Sequence, residues 1–264
     1  MQTVDVTSFR VADCAAWHID PDRRPEGRRT TRAVLHDPPP EAIERLLADC
    51  PHGAVKLAPA AVLPEGWESR AELEWTSSRR ECRQLVAWFG NLAGRVGTRR
   101  ATILSTTREP RTFVGQADLP VPVAERIGRY VFEPDAAVLA AGLCGAIAAE
   151  FGLEAVTARA AYLTGEPAVT VLQDAALTCF EVLEVLPLRI KPVRQWLHDR
   201  GIGRVEVKKR GVDIDPQRLA AELEGPGEDH ATLLIFRKRE KTTAIIARRC
   251  HPSETAIHPA PRPS

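Results

Sequence analysis

Strand-like and helix-like segments alternate from Ala15 to Ser105, and that alternation restricts the chain to an α/β architecture. Residues 15–20 form a short apolar run closed by Asp20-Pro21, the pattern of a buried parallel strand that stops where its loop begins. Residues 41–49 read as a helix: Ala42, Ile43, Leu46 and Leu47 recur at helical spacing, and Pro38-Pro39-Pro40 sets the start. Residues 53–58 and 72–76 read as strands, 80–92 as a helix and 100–105 as a further strand. Strands joined by crossover helices run parallel, and ligands gather at their carboxyl ends. Asp20 and Lys56 both stand at such ends, which ranks them above the other polar residues.

The second half divides differently. Glu133-Pro134-Asp135 opens a helix expected to run to about Phe151, since proline and acidic residues favour helix N-termini. Residues 155–178 read as short strands or loops. From Cys179 the pattern is strand 180–186, helix 191–200, strand 204–209, helix 216–223 and paired strands 232–237 and 242–247. The expected organisation is an incomplete α/β domain over residues 1–125, a helical connector over 126–178, a compact α+β unit over 179–249 that folds alone, and a Pro-rich, polar, disordered tail over 250–264.

With 44% hydrophobic and 27% charged residues the chain has material for a real core. No apolar run approaches the roughly 18 residues a membrane span needs, and residues 1–10 lack the order of a signal peptide, so a cytoplasmic protein without membrane contact is expected. The six cysteines, at 14, 50, 82, 144, 179 and 250, show no Cys-x-x-Cys or Cys/His cluster. Reduced, mostly buried thiols and no metal site are therefore expected. Trp75 and Trp88 read as core residues.

Net charge is +1 overall, yet residues 186–250 hold fifteen Lys/Arg against nine Asp/Glu, and five of the six lysines. Arg204, Lys208, Lys209 and Arg210 cluster on one strand and its turn, with Lys191 and Arg194 on the preceding helix. These six are candidate phosphate contacts, the alternative being a solvated charged face. Alternate residues of a strand face opposite ways, so Lys208 and Arg210 are expected to share a face that Lys209 does not.

Several short segments stand in an order that points to one family: His18-Ile19-Asp20-Pro21-Asp22-Arg23-Arg24, Lys56-Leu57-Ala58-Pro59, Glu72-Leu73-Glu74-Trp75, Tyr130-Val131-Phe132-Glu133-Pro134-Asp135, and Gly203-Arg204-Val205-Glu206-Val207-Lys208-Lys209-Arg210-Gly211. The chain resembles bacterial class I S-adenosylmethionine-dependent methyltransferases with a C-terminal THUMP-like domain, N-terminally truncated. The resemblance implies a partial Rossmann-like sheet comprising only its later strands, followed by a small α+β domain. It implies that Asp20-Pro21 is the catalytic motif, an acceptor that holds an exocyclic amine in position. Arg23 stands where that motif keeps a base-stacking aromatic. Arg23, Lys56, Glu133 and Asp135 are candidate substrate residues, and Asp5 is a vestigial cofactor-side acid or an ordinary polar residue near the terminus.

S-adenosylmethionine is the family's cofactor, bound through a glycine-rich turn after the first strand. No such turn precedes Asp5, and Gly90, Gly94 and Gly97 follow a segment read as helix. This chain alone is therefore expected to bind no cofactor. Two functions remain: an RNA-directed (tRNA or rRNA) methyltransferase family member inactive alone, or a non-catalytic RNA-binding or interaction protein built on a methyltransferase remnant. An exposed sheet edge opens a route to self-association.

Overall fold

The computed structural model describes residues 5, 6, 8–23, 30–105, 109–158, 162–166, 171, 174–238 and 241–250. The chain divides into two compact units, residues 1–119 with 135–146, and residues 120–134 with 147–264.

The first unit is built on a six-stranded sheet in the order β1 (Trp17–Ile19), β2 (Gly53–Leu57), β4 (Glu81–Phe89), β3 (Ala71–Ser78), β5 (Arg99–Leu104), β6 (Arg111–Gly115). β1 and β2 run parallel, as do β3 and β5, while β4 lies antiparallel between β2 and β3. Helix α1 (Pro40–Asp49) lies between β1 and β2 in the chain, begins on a proline and buries Ala42, Ile43 and Leu46. A short α2 (Trp67–Arg70) precedes β3, and its Trp67 is fully buried edge-on against Phe89 with ring centroids 5.1 Å apart.

Residues 80–92, expected as a helix, are strand β4 followed by a 3-10 turn over Gly90–Leu92. Leu85 to Phe89 is a continuous apolar run, and such a run cannot be told from a buried helix by spacing alone. Its place in the centre of the sheet decides the matter. The hairpin that leads into it turns on Arg79 and Arg80, both left-handed at φ 52° and 62°. Two-residue hairpin turns need that geometry and usually announce it with Asn-Gly, so Arg-Arg gives no cue.

The long helix expected from Glu133 is also replaced. Glu133 and Pro134 end strand β7 (Tyr130–Pro134), Asp135 caps a short α3 (Ala136–Ala140), and α4 (Cys144–Phe151) follows. Gly142 separates the helices at φ 68°, and a Cβ there would stand 2.8 Å from Asp118 Oδ1.

The second unit holds a seven-stranded sheet in the order β11 (Ile202–Arg210), β12 (Asp229–Lys238), β13 (Lys241–Arg249), β10 (Leu177–Pro187), β7, β9 (Leu163–Gly165), β8 (Glu154–Ala155). Helices α5 (Ile190–His198) and α6 (Pro216–Leu223) cover one face, where Val193, Leu197, Leu219 and Leu223 meet Leu233, Ile235 and Ile246. The opposite face gathers Val131, Tyr162, Phe180, Leu234, Phe236 and Ile245. Consecutive residues of β12 thus feed two cores, as strand alternation requires.

Residues 126–178 are consequently no helical connector. They supply β7, β8 and β9, and β10 pairs with β7 from Leu177 opposite Pro134 to Glu181 opposite Tyr130. A fragment of residues 179–249 lacks these strands and leaves Phe180 and Phe236 without their cover, so the expected independence of that fragment is not what the sheet supports. The tail residues 251–264 lie outside the described residues.

In the first unit Glu72, 1% exposed, accepts from Arg100 Nε at 3.0 Å and Nη2 at 2.7 Å, and from the Gly94 N–H at 2.7 Å. Arg100→Ala leaves that carboxylate buried and without its cation. The expected loss is about 3–5 kcal/mol in urea unfolding.

The thiols give a second test. Burial, with Asp135 nearby, pushes Cys82 up to about 11, and burial with Asp118 nearby does the same to Cys144. Only the thiolate alkylates, so about one in a thousand of these thiols is reactive at pH 8. Iodoacetamide at pH 8 should label exposed Cys14 well ahead of Cys82 and Cys144, whose labelling rates should climb towards pH 11; peptide mass spectrometry reads the order.

Candidate functional site

β1 and β2 pair in parallel register, Trp17 with Gly53, His18 with Ala54 and Ile19 with Val55. One step further along, Asp20 and Lys56 fall opposite each other, and Lys56 Nζ donates to Asp20 Oδ2. The side chains are 48% and 35% exposed. An ion pair so solvated adds only about 0–1 kcal/mol to stability, so its consequence is orientation of the carboxylate. Asp20 Oδ1 accepts no hydrogen bond among the described residues, which leaves one acceptor open at the carboxyl ends of two parallel strands. Pro21 beside it is buried.

Arg23 is half-buried, and its carbonyl accepts from the Thr30 N–H at 3.0 Å. Asp135, a candidate substrate residue from sequence, is wholly buried, and its Oδ1 accepts from the Ala137 N–H at 2.9 Å as the cap of α3. Glu133 belongs to the second unit and is 5% exposed. Neither is open to a substrate.

Sequence reading passed over a cavity of about 700 Å³ in the first unit, lined by Pro59, Leu63, Glu68, Trp75, Arg99 and Ala140 among others. Trp75, 5% exposed, donates Nε1–H to the Pro59 carbonyl at 2.9 Å, and Arg99 lies over its ring at 5.3 Å. Arg99 also donates to Glu68 at 3.0 Å and to the Ala141 carbonyl at 3.2 Å. Trp75 was placed correctly in the core, but residue type alone does not show that its edge borders a cavity.

Gly90, Gly94 and Gly97 do follow a strand, contrary to the sequence reading, but the loop's N–H groups serve the chain itself. Asn91 donates to His52 Nδ1 at 3.1 Å, Gly94 to Glu72 at 2.7 Å and Gly97 to the Ala71 carbonyl at 2.9 Å. Asp5 lies outside helix and strand, its carbonyl accepting from Ser8 and Phe9. Among the described residues no group of three or more His, Cys, Asp or Glu is placed to hold a metal ion, and no helix is long and apolar enough to cross a membrane.

In the second unit the basic residues sort into two kinds. Lys208 and Arg210 do share a face, and both turn onto Glu133, at 2.9 Å and 2.8 Å. Arg210 also lies 5.9 Å from the centre of the Tyr162 ring. Burial pushes the Tyr162 phenol well above its ordinary range, with Glu133 adding to the effect and Arg210 opposing it. Arg194 donates Nε–H to the Glu222 carbonyl at 2.8 Å, tying α5 to α6. Three of the six candidate phosphate contacts therefore have structural work. Lys191 and Arg204 are exposed and Lys209 half-buried.

Replacing Lys208 and Arg210 together by Ala takes two cations away from the buried Glu133 carboxylate. Thermal unfolding should show a loss of about 3 kcal/mol or more, and adding Glu133→Gln should restore a large part of it. Unchanged stability in the double variant would show the cluster to be no more than surface charge.

A family model described as THUMP domain-like matches residues 177–249. An uncharacterized S-adenosylmethionine-dependent methyltransferase from Mycobacterium tuberculosis strain CDC 1551 / Oshkosh, and its counterpart in strain ATCC 25618 / H37Rv, are each 32% identical over 243 residues. The match covers 89% of this chain and 64% of theirs, so the chain spans a little under two thirds of the length of these relatives. Among solved structures, a protein from Porphyromonas gingivalis W83 assigned as a methyltransferase shares the fold, with a TM-score of 0.69 at 20% identity over 89% of this chain and 60% of its own. The last strands match the THUMP-like domain model, and over most of its length the chain is similar to S-adenosylmethionine-dependent methyltransferases.

Proposed function

We propose that this chain supplies the substrate-orienting and RNA-recognising part of an RNA-directed methyltransferase, and that residues 1–264 alone neither hold the cofactor nor transfer a methyl group. The observation that carries the reading is the Asp20–Lys56 pair at the ends of β1 and β2. Lys56 steadies one oxygen of the carboxylate, and the other accepts an N–H from a substrate amine. An amine held by its hydrogens keeps its lone pair available, which is positioning more than acid-base chemistry. Pro21 stiffens the chain just past Asp20, and Arg23, where an aromatic would stack on a base, offers a guanidinium to phosphate or to a base face.

The THUMP-like match over residues 177–249 supports RNA, a tRNA or an rRNA, as the partner. A cytoplasmic setting suits that partner. A non-catalytic RNA-binding protein is the second reading, favoured by the loop amides of Asn91, Gly94 and Gly97, which are all engaged within the chain.

Two measurements on the purified chain test the proposal. Calorimetric titration with S-adenosylmethionine should show no binding, and micromolar affinity would overturn the cofactor part. Filter binding to bulk tRNA should show affinity at low salt that falls steeply as salt rises, since each neutralised phosphate releases counterions. Absence of binding at low salt would remove RNA from the account.

A further inference from the structure

β10 and β13 run antiparallel, and their register ends with Phe180 opposite Arg249. One step further Cys179 and Cys250 face each other, and the Cys250 N–H donates to the Cys179 carbonyl at 3.0 Å. Opposed residues of an antiparallel pair send their side chains to the same face, so the backbone alone brings these two sulfurs together. The Cys179 thiol donates to Cys250 Sγ at 3.1 Å. Residues bonded across such a pair stand about 5.5 Å apart at Cα, inside the range that a disulfide spans. The other near approach of two cysteines differs, because the Cys50 thiol donates to the Cys14 carbonyl at 3.3 Å and not to its sulfur.

Cys179 is buried and Cys250 half-buried. The hydrogen bond to Cys250, with burial adding to it, pushes the Cys179 thiol well above its ordinary range. Cys250 is therefore the sulfur that an oxidant reaches first, with protonated Cys179 in contact behind it. The two cysteines are 71 residues apart in sequence. The THUMP-like match runs from 177 to 249, so a bond between them closes almost all of that region in one loop. Cys179 also pairs with Phe132 of β7, and β10 is the fourth of seven strands. The end of β13 would thus be fixed to the middle of the sheet.

We infer that Cys179 and Cys250 form a peroxide-responsive disulfide that staples the two ends of the THUMP-like region together. A hydroperoxide converts the Cys250 thiol to a sulfenic acid and is itself reduced, hydrogen peroxide leaving as water. The Cys179 sulfur then displaces the hydroxyl: the S–S bond forms, the S–O bond breaks, and the Cys179 proton leaves with the hydroxyl as a second water. Two thiols have lost two electrons and the peroxide has gained two. A dithiol reductant reverses the step by exchange. A cross-link that closes so long a loop restricts the unfolded chain strongly, so the oxidised unit resists unfolding more than the reduced one.

The experiment treats the purified full chain with a small excess of hydrogen peroxide, removes the oxidant with catalase, and labels remaining thiols with N-ethylmaleimide in denaturant. The oxidised chain should take up two fewer maleimides than the reduced chain, and peptide mass spectrometry should find Cys179 joined to Cys250. Dithiothreitol should restore both labels. By circular dichroism the melting temperature should rise on oxidation by about 5 °C or more. In Cys250→Ser the cross-linked peptide and the thermal gain should both vanish. The peptide map is read on the unaltered chain, so the result does not depend on how well that variant folds. Cys250 carried to the sulfinic acid with Cys179 still taking maleimide would overturn the pairing, as would a disulfide found only between Cys14 and Cys50. A Cys179–Cys250 bond that leaves the melting temperature unchanged would overturn the staple.

Discussion

Trp17 lies flat against Gly53, so close that a Cβ at that position would enter the indole ring. Its Nε1–H donates to the Cys50 carbonyl at 2.8 Å, which ties the start of β1 to the turn before β2. The register of the two strands follows from this contact, and because side chains alternate along a strand, a slip of one residue would turn Asp20 and Lys56 to opposite faces. The open oxygen of Asp20 is thus a product of packing some three residues away. Substitution of Gly53 by anything larger would act on the site through the ladder, without touching either member of the ion pair.

Buried carboxylates organise both units in the same way. Glu72 gathers Arg100 and the Gly94 amide in one, and Glu133 gathers Lys208 and Arg210 in the other. Each removes cations from the surface that composition alone would count as available. The excess of positive charge over residues 186–250 therefore overstates the phosphate-binding surface, since part of that charge answers an acid that lies far upstream in sequence, in β7. Charge available to a partner in this fold is what is left after internal pairing.

The strands and helices that pack one clear face were legible in the sequence: β1, β2, β3 and β5, α1, and the two helices with the final hairpin of the second unit all stand within a few residues of expectation. What failed was decided by contacts between distant segments or by backbone geometry that residue type conceals. Strand β4 is apolar on both faces because it lies between β2 and β3, and its hairpin turns on two arginines in place of glycine. The helix expected from Glu133 fails because β7 is held by β10, more than forty residues later in sequence.

The same distinction separates the site residues. The pairing of Asp20 with Lys56 could be anticipated because both stand at strand ends, where α/β sheets present polar side chains, a rule that needs no knowledge of the partner. Lys208 and Arg210 looked equally promising, clustered and basic, yet their counter-charge stands 75 and 77 residues away. Nothing local to a basic cluster tells whether an acid elsewhere in the fold will neutralise it. Local pattern can thus locate a site that depends on strand ends, whereas a surface that depends on unbalanced charge requires the whole sheet to be folded before its members can be told from their neighbours.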